Sequence, residues 1–92
     1  MTMIAVKARV TGHVQGVAFR AWTQARAEAL GLKGWVLNEI SGSVLALFEG
    51  EKDAVQQMVD ELWTGPGAAS VQNVQADSAP LGQAGDGFVI RH

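Results

Sequence analysis

The sequence predicts an α+β domain in which an antiparallel sheet is covered on one face by two helices, in the order β-α-β-β-α-β with a short terminal strand. Three observations carry this expectation. The first residues alternate apolar and polar with a period of two; two later stretches place apolar residues at spacings of three and four; and glycine-bearing breaks separate the segments. One helix between the first two strands and another between the third and fourth give the split βαβ arrangement. The 92 residues fit one domain, 1–92, and a 48% hydrophobic content suffices for a core at this size.

Ile4, Val6, Ala8 and Val10 alternate with Ala5, Lys7, Arg9 and Thr11, a half-buried strand. Gly12 and Gly16 bracket a loop, and from about Phe19 the pattern turns helical through Trp22, Arg26, Ala29 and Leu30, with Gly31 as the stop. Lys33 to Ile40 reads as the second strand, Ser41-Gly42 as a tight turn, and Ser43 to Glu49 as the returning strand. Ala54, Val55, Met58, Val59, Leu62 and Trp63 mark a second amphipathic helix. A loop around Gly65-Pro66-Gly67 leads to a strand at Ser70 to Ala79, and a loop from Pro80 to Asp86 leads to a last strand at Phe88 to Arg91. Trp22 and Trp63 fall on apolar helix faces and are expected in the core. If Val36, Val44, Ala46 and Phe48 face the helices, Trp35, Leu37, Leu45 and Leu47 form an apolar outer patch. That patch motivates a monomer with weak self-association.

The charge balance narrows the partners. Seven Lys and Arg against nine Asp and Glu give a net charge of −2, and the basic residues are scattered rather than clustered. Nucleic acid and anionic membranes are therefore poor partners, whereas a small anion needs only one or two cations. With no cysteine there is no disulfide, thiolate nucleophile or cysteine metal site, and two histidines, His13 and His92, are too few for a usual zinc site. No apolar run approaches the ~20 residues that span a bilayer. The N-terminal segment alternates and carries Lys7 and Arg9, unlike a signal peptide, so the expected location is the cytoplasm.

The informative stretch is Gly12-His13-Val14-Gln15-Gly16-Val17-Ala18-Phe19-Arg20, running from a strand end into a helix start. Such a junction leaves backbone N–H groups without partners, and glycine lets them curl into a concave anion site reinforced by the helix dipole. Arg20 falls in the first helical turn, where its fork can take two phosphate oxygens. Read alone, the stretch also fits a tight connection with a solvated arginine.

The pattern Gly-x-Val-Gln-Gly-Val-x-Phe-Arg resembles the signature of the acylphosphatase family, with every fixed position present. Similar stretches follow at Gly34-Trp35-Val36-Leu37-Asn38 with Gly42-Ser43-Val44, at Gly65 to Val71, and at Phe88-Val89-Ile90-Arg91, so the resemblance spans nearly the whole chain. It implies a ferredoxin-like α/β sandwich with core strand order 4-1-3-2. It implies hydrolysis of acyl phosphates to carboxylate and inorganic phosphate. In that reading Arg20 binds phosphate, Asn38 orients the attacking water, and the amides of Val14, Gln15, Gly16, Val17, Ala18, Phe19 and Arg20 form the cradle. Where many relatives carry acidic residues, this chain has Ser41 and Leu45.

This chemistry tolerates few groups. The carboxylate leaves without a general acid, and phosphoryl transfer through a loose transition state rests on positioning and charge stabilisation. The expectation is a reaction with no metal and no cofactor, inhibited by its product phosphate. Ser43 is a candidate to hold Asn38, Gln15 to shape the loop, and His13 to lie on the surface. Arg91 and the terminal carboxylate of His92 are candidates to brace Arg20. Two other readings compete: a related module of a larger maturation or carbamoyl-transfer protein, and a ligand- or RNA-binding split βαβ domain. The completeness of the motifs speaks against the first. The absence of an aromatic from the first strand speaks against RNA.

Overall fold

The computed structural model describes residues 2–92; Met1, part of the expected 1–92 domain, lies outside them. The elements are β1 (Met3–His13), α1 (Phe19–Ala29), β2 (Lys33–Asn38), β3 (Val44–Glu51), α2 (Lys52–Leu62), β4 (Ser70–Ala79) and β5 (Phe88–Arg91). One five-stranded sheet has the order β4-β1-β3-β2-β5, which contains the expected 4-1-3-2. The sheet is mixed rather than wholly antiparallel. β1 pairs antiparallel with β3 and β4, and β2 antiparallel with β3, but β5 lies parallel to β2. The last strand returns along the same direction because the loop from residue 80 to 87 carries the chain from the β4 edge to the opposite edge of the sheet. This is the ferredoxin-like α+β fold.

Alternation decides which side of each strand is dry. Ala8, Val10, Val36, Val44, Ala46, Phe48, Val74 and Phe88 join Phe19, Ala27, Val55, Met58 and Leu62 in one buried cluster. The helices share that face, α1 packing on β2 and β5, and α2 on β1, β3 and β4. Gly34 sits between Phe48 and Phe88 in register. With φ +143° and no Cβ, it lets those rings stack across β2 at 5.5 Å and 12°; a Cβ there would run into the Leu47 carbonyl.

Helix faces differ from expectation at two places. The buried stripe of α1 is Phe19, Thr23 and Ala27, while Ala29 is exposed and Arg26 half-buried. Thr23 is tolerated there because its hydroxyl donates to the Phe19 carbonyl at 2.8 Å, so no polar atom is stranded. Arg26 instead donates to Glu61 on α2 at 2.6 and 3.0 Å. Trp22 is half-buried, edge-on to Phe19. Trp63 is not core: it follows the last turn of α2, one step round from Leu62, and is 50% exposed.

The outer face is less bare than its sequence implies. Leu47 lies between Lys7 and Trp35 in register and is buried, and Trp35, Leu37 and Leu45 are half-buried. The Arg91 guanidinium stands 4.9 Å over the Trp35 ring and the Lys7 ammonium 6.0 Å from it. Leu45 and Leu47 thus lie on a face partly roofed by amphipathic side chains.

Candidate active site

The end of β1, the start of α1, and the ends of β2 and β5 converge on one pocket of about 280 Å³, lined by Val14, Gly16, Ala18, Phe19, Arg20, Ala21, Asn38, Ile90 and His92. β1 has a register shift at Thr11/Gly12 and runs to His13, farther than the alternation implies. The loop beyond it turns through two left-handed residues, Gly16 at φ +76° and Ala18 at φ +62°. Among the described residues Ala18 is the only non-glycine at positive φ, and it sits at the helix N-cap.

An alanine N-cap offers no side-chain acceptor, and α1 carries no acidic residue in its first turn. Among the described residues, the amides from Gln15 to Ala21 therefore have no acceptor, and the first to be satisfied belongs to Trp22, which donates to the Ala18 carbonyl at 3.0 Å. The positive helix end remains uncompensated at the pocket, which suits an anion.

Arg20 lines the same pocket from the first turn of α1. Its Nη1 donates to the Arg91 carbonyl at 3.3 Å and to Nδ1 of His92 at 3.1 Å. The brace at the C-terminal segment is therefore a main-chain carbonyl and a ring nitrogen. Neither of the two ion pairs among the described residues involves Arg20 or the terminal carboxylate. The Arg91 side chain turns to the opposite face, onto Trp35.

Asn38 closes the pocket from the end of β2, paired with Val44 and on the helix side of the sheet like Val36. Its Oδ1 is buried and has no hydrogen-bond partner, the one such side-chain atom among the described residues. A buried acceptor left unpaired in a pocket is suited to a donor brought by solvent or substrate.

The turn after Asn38 is tied down from two sides. Gln15 Nε2 donates to the carbonyls of Glu39 at 2.8 Å and Ser43 at 2.9 Å. Arg9 grips the Glu39 carboxylate through Nε at 2.7 Å and Nη2 at 3.1 Å. That pairing holds the Glu39 carboxyl below the usual carboxylate range, against an opposing push from burial. The Ser43 hydroxyl accepts from Ser41 at 3.3 Å, so Ser43 meets the loop through its carbonyl rather than meeting Asn38 through its hydroxyl. His13 is exposed and outside the pocket. Glu39, Ile90 and Ala21 also shape the site, and no local spacing signals them: Arg9 and Glu39 are thirty residues apart.

A strand-to-helix cradle of unpaired amides with one arginine and one unpaired amide oxygen, set on a ferredoxin-like sandwich, is an arrangement suited to a small anion. The acylphosphatase family model matches residues 6–90. An acylphosphatase of Rhizobium meliloti (strain 1021) is 52% identical over 82 residues, covering 89% of this chain and 86% of its own. The solved acylphosphatase from Coxiella burnetii superposes with a TM-score of 0.92 at 35% identity, covering 97% of this chain and 93% of that one. The one from Bacillus subtilis gives 0.92 at 30%, covering 99% and 100%. Full-length HypF, solved in its phosphate- and nucleotide-bound form, matches at 0.90 and 26%, with this chain spanning 12% of it. The chain belongs to the acylphosphatase family, and its activity is the hydrolysis of acyl phosphates.

Proposed function

We propose that the phosphoryl group of the substrate sits in the cradle of amides from Val14 to Arg20, that Arg20 binds its equatorial oxygens, and that Asn38 orients the attacking water. The observation that carries this reading is the meeting in one pocket of unpaired amides, Arg20 and the unpaired Asn38 Oδ1. Water donates one hydrogen to Oδ1 and presents its oxygen to phosphorus, opposite the acyl oxygen. The phosphorus–oxygen bond to the acyl group breaks, its electron pair leaves with the carboxylate, and the water proton passes to a phosphate oxygen. Charge on the three equatorial oxygens is met by the amides and the guanidinium, so no group need act as base.

In this reading the substrate is a small acyl phosphate, the reaction uses no metal, and inorganic phosphate inhibits by occupying the cradle. The protein works as a monomer in the cytoplasm; a domain this small without cysteine fits a reducing compartment. The test is hydrolysis of benzoyl phosphate followed by ultraviolet absorbance. Phosphate is expected to compete with substrate and EDTA to leave the rate unchanged. Loss of rate with EDTA, restored by a divalent metal, would contradict the metal-free step.

A further inference from the structure

We infer that Gln15 is a positioning residue for Asn38: its side-chain amide couples the loop that holds phosphate to the hairpin that aims the water. The inference rests on the reading of Asn38 given above. Asn38 Oδ1 has no partner in the fold, so no hydrogen bond to that oxygen sets its direction. Its aim is set by where the β2–β3 hairpin holds its backbone. The neck of that hairpin closes through the Glu39 amide on the Ser43 carbonyl at 2.9 Å, and its tip through the Gly42 amide on the Glu39 carbonyl at 3.1 Å.

Gln15 spans that neck. A side-chain amide has two hydrogens, and Nε2 directs them to the two carbonyls that flank the neck, Glu39 at 2.8 Å and Ser43 at 2.9 Å. Glu39 directly follows Asn38, and Gln15 directly precedes Gly16, where the cradle turns left-handed. The loop and the hairpin are 24 to 28 residues apart in sequence, and among the described residues these are the only hydrogen bonds from residues 14–18 to residues 38–43. Displacing the hairpin by a fraction of an ångström would leave the cradle intact and misdirect the water, which affects the chemical step more than phosphate binding.

The experiment is a double-mutant cycle on Gln15 and Asn38, read as kcat and as the inhibition constant of inorganic phosphate. Gln15→Ala and Gln15→Glu are paired because the glutamate keeps the shape while its ionised form removes both donors. Circular dichroism and urea unfolding select folded variants. In the parent background either change is expected to lower kcat on the order of tenfold, the scale of coupling between residues in one network, and to shift the phosphate constant less than about threefold. In an Asn38→Ala background the same change is expected to alter kcat less than about twofold. An equal loss of kcat in both backgrounds, or a loss confined to phosphate binding, would overturn the coupling and leave Gln15 a loop-shaping residue. Near-normal kcat in Asn38→Ala itself would overturn the reading of Asn38 instead, so the two failures are distinguishable.

Discussion

Arg20 is oriented by the fold itself, because the Arg91 carbonyl and the His92 ring hold one of its nitrogens at the pocket wall. Preorganised charge of this kind acts in both the ground state and the transition state, and more strongly in the latter, where charge develops. Arg20→Ala is expected to raise KM and to lower kcat on the order of 100-fold, by analogy with loss of an oxyanion donor. Arg20→Lys should recover little, since a point charge cannot reproduce the fork. Steady-state kinetics on folded variants decide it, and near-full activity in Arg20→Lys would show that fork geometry is not used. The meeting of Arg20 and Asn38 in one pocket was legible in the sequence, because family-like motifs fix them at motif ends. The left-handed backbone of Ala18 and the part played by Glu39 were not. A left-handed alanine has no sequence signal, and the partner of Glu39 lies on a strand thirty residues away. The brace on Arg20 was legible only as a location: the C-terminal segment supplies it through a carbonyl and a ring rather than a carboxylate.

The β2–β3 hairpin carries Asn38, to which the proposed reading gives the attacking water, and one of the hairpin's restraints is titratable. Hydrogen bonding from Arg9 lowers the Glu39 carboxyl in the folded state. The unfolded chain therefore binds that proton more readily. The pair stabilises the fold above the ordinary carboxylate value of about 4.3, and the benefit disappears as pH falls through the lowered folded value. Glu39→Gln is expected to unfold at a lower temperature than the parent near neutrality, by a small margin, because the pair is partly solvent-exposed. The gap should narrow as pH falls from about 6 toward about 3. A gap that stays constant across that range in thermal melts would show that the pair does not contribute. Among the elements, the spans of β4 and β5 follow their sequence pattern to the residue, since turn residues bound both. The face of α1 does not, because Thr23 hides its hydroxyl on its own helix and so behaves as an apolar residue.

At the scale of the molecule, the order of elements and the core strand order were readable from periodicity and resemblance, whereas the parallel β2–β5 pair was not. Nothing in four residues of strand says which edge they join. The outer sheet face shows the same limit. Alternation assigns Leu37, Leu45 and Leu47 to it correctly, but burial depends on what crosses above. There Trp35, Arg91 and Lys7 gather around Leu47 through cross-strand neighbours. With that roof, self-association through this face is expected to be negligible at micromolar concentration. Sedimentation should give the mass of one 9.7 kDa chain throughout. A mass that rises with concentration, and no longer does so in Leu45→Glu, would show that the face is a contact after all. Among the described residues no helix is long and apolar enough to cross a membrane.

The division of labour between the cradle and Asn38 is the central claim, and one variant tests it. Asn38 contributes an unpaired oxygen to the pocket and no charge, so its effect should fall on the water and not on the phosphate. In folded Asn38→Ala, kcat for benzoyl phosphate is expected to fall on the order of 100-fold, as for other groups that act mainly in the transition state. The inhibition constant of inorganic phosphate should remain within about twofold of the parent, since uniform binding is untouched. A near-normal kcat, or a loss of phosphate affinity as large as the loss of rate, would contradict the account.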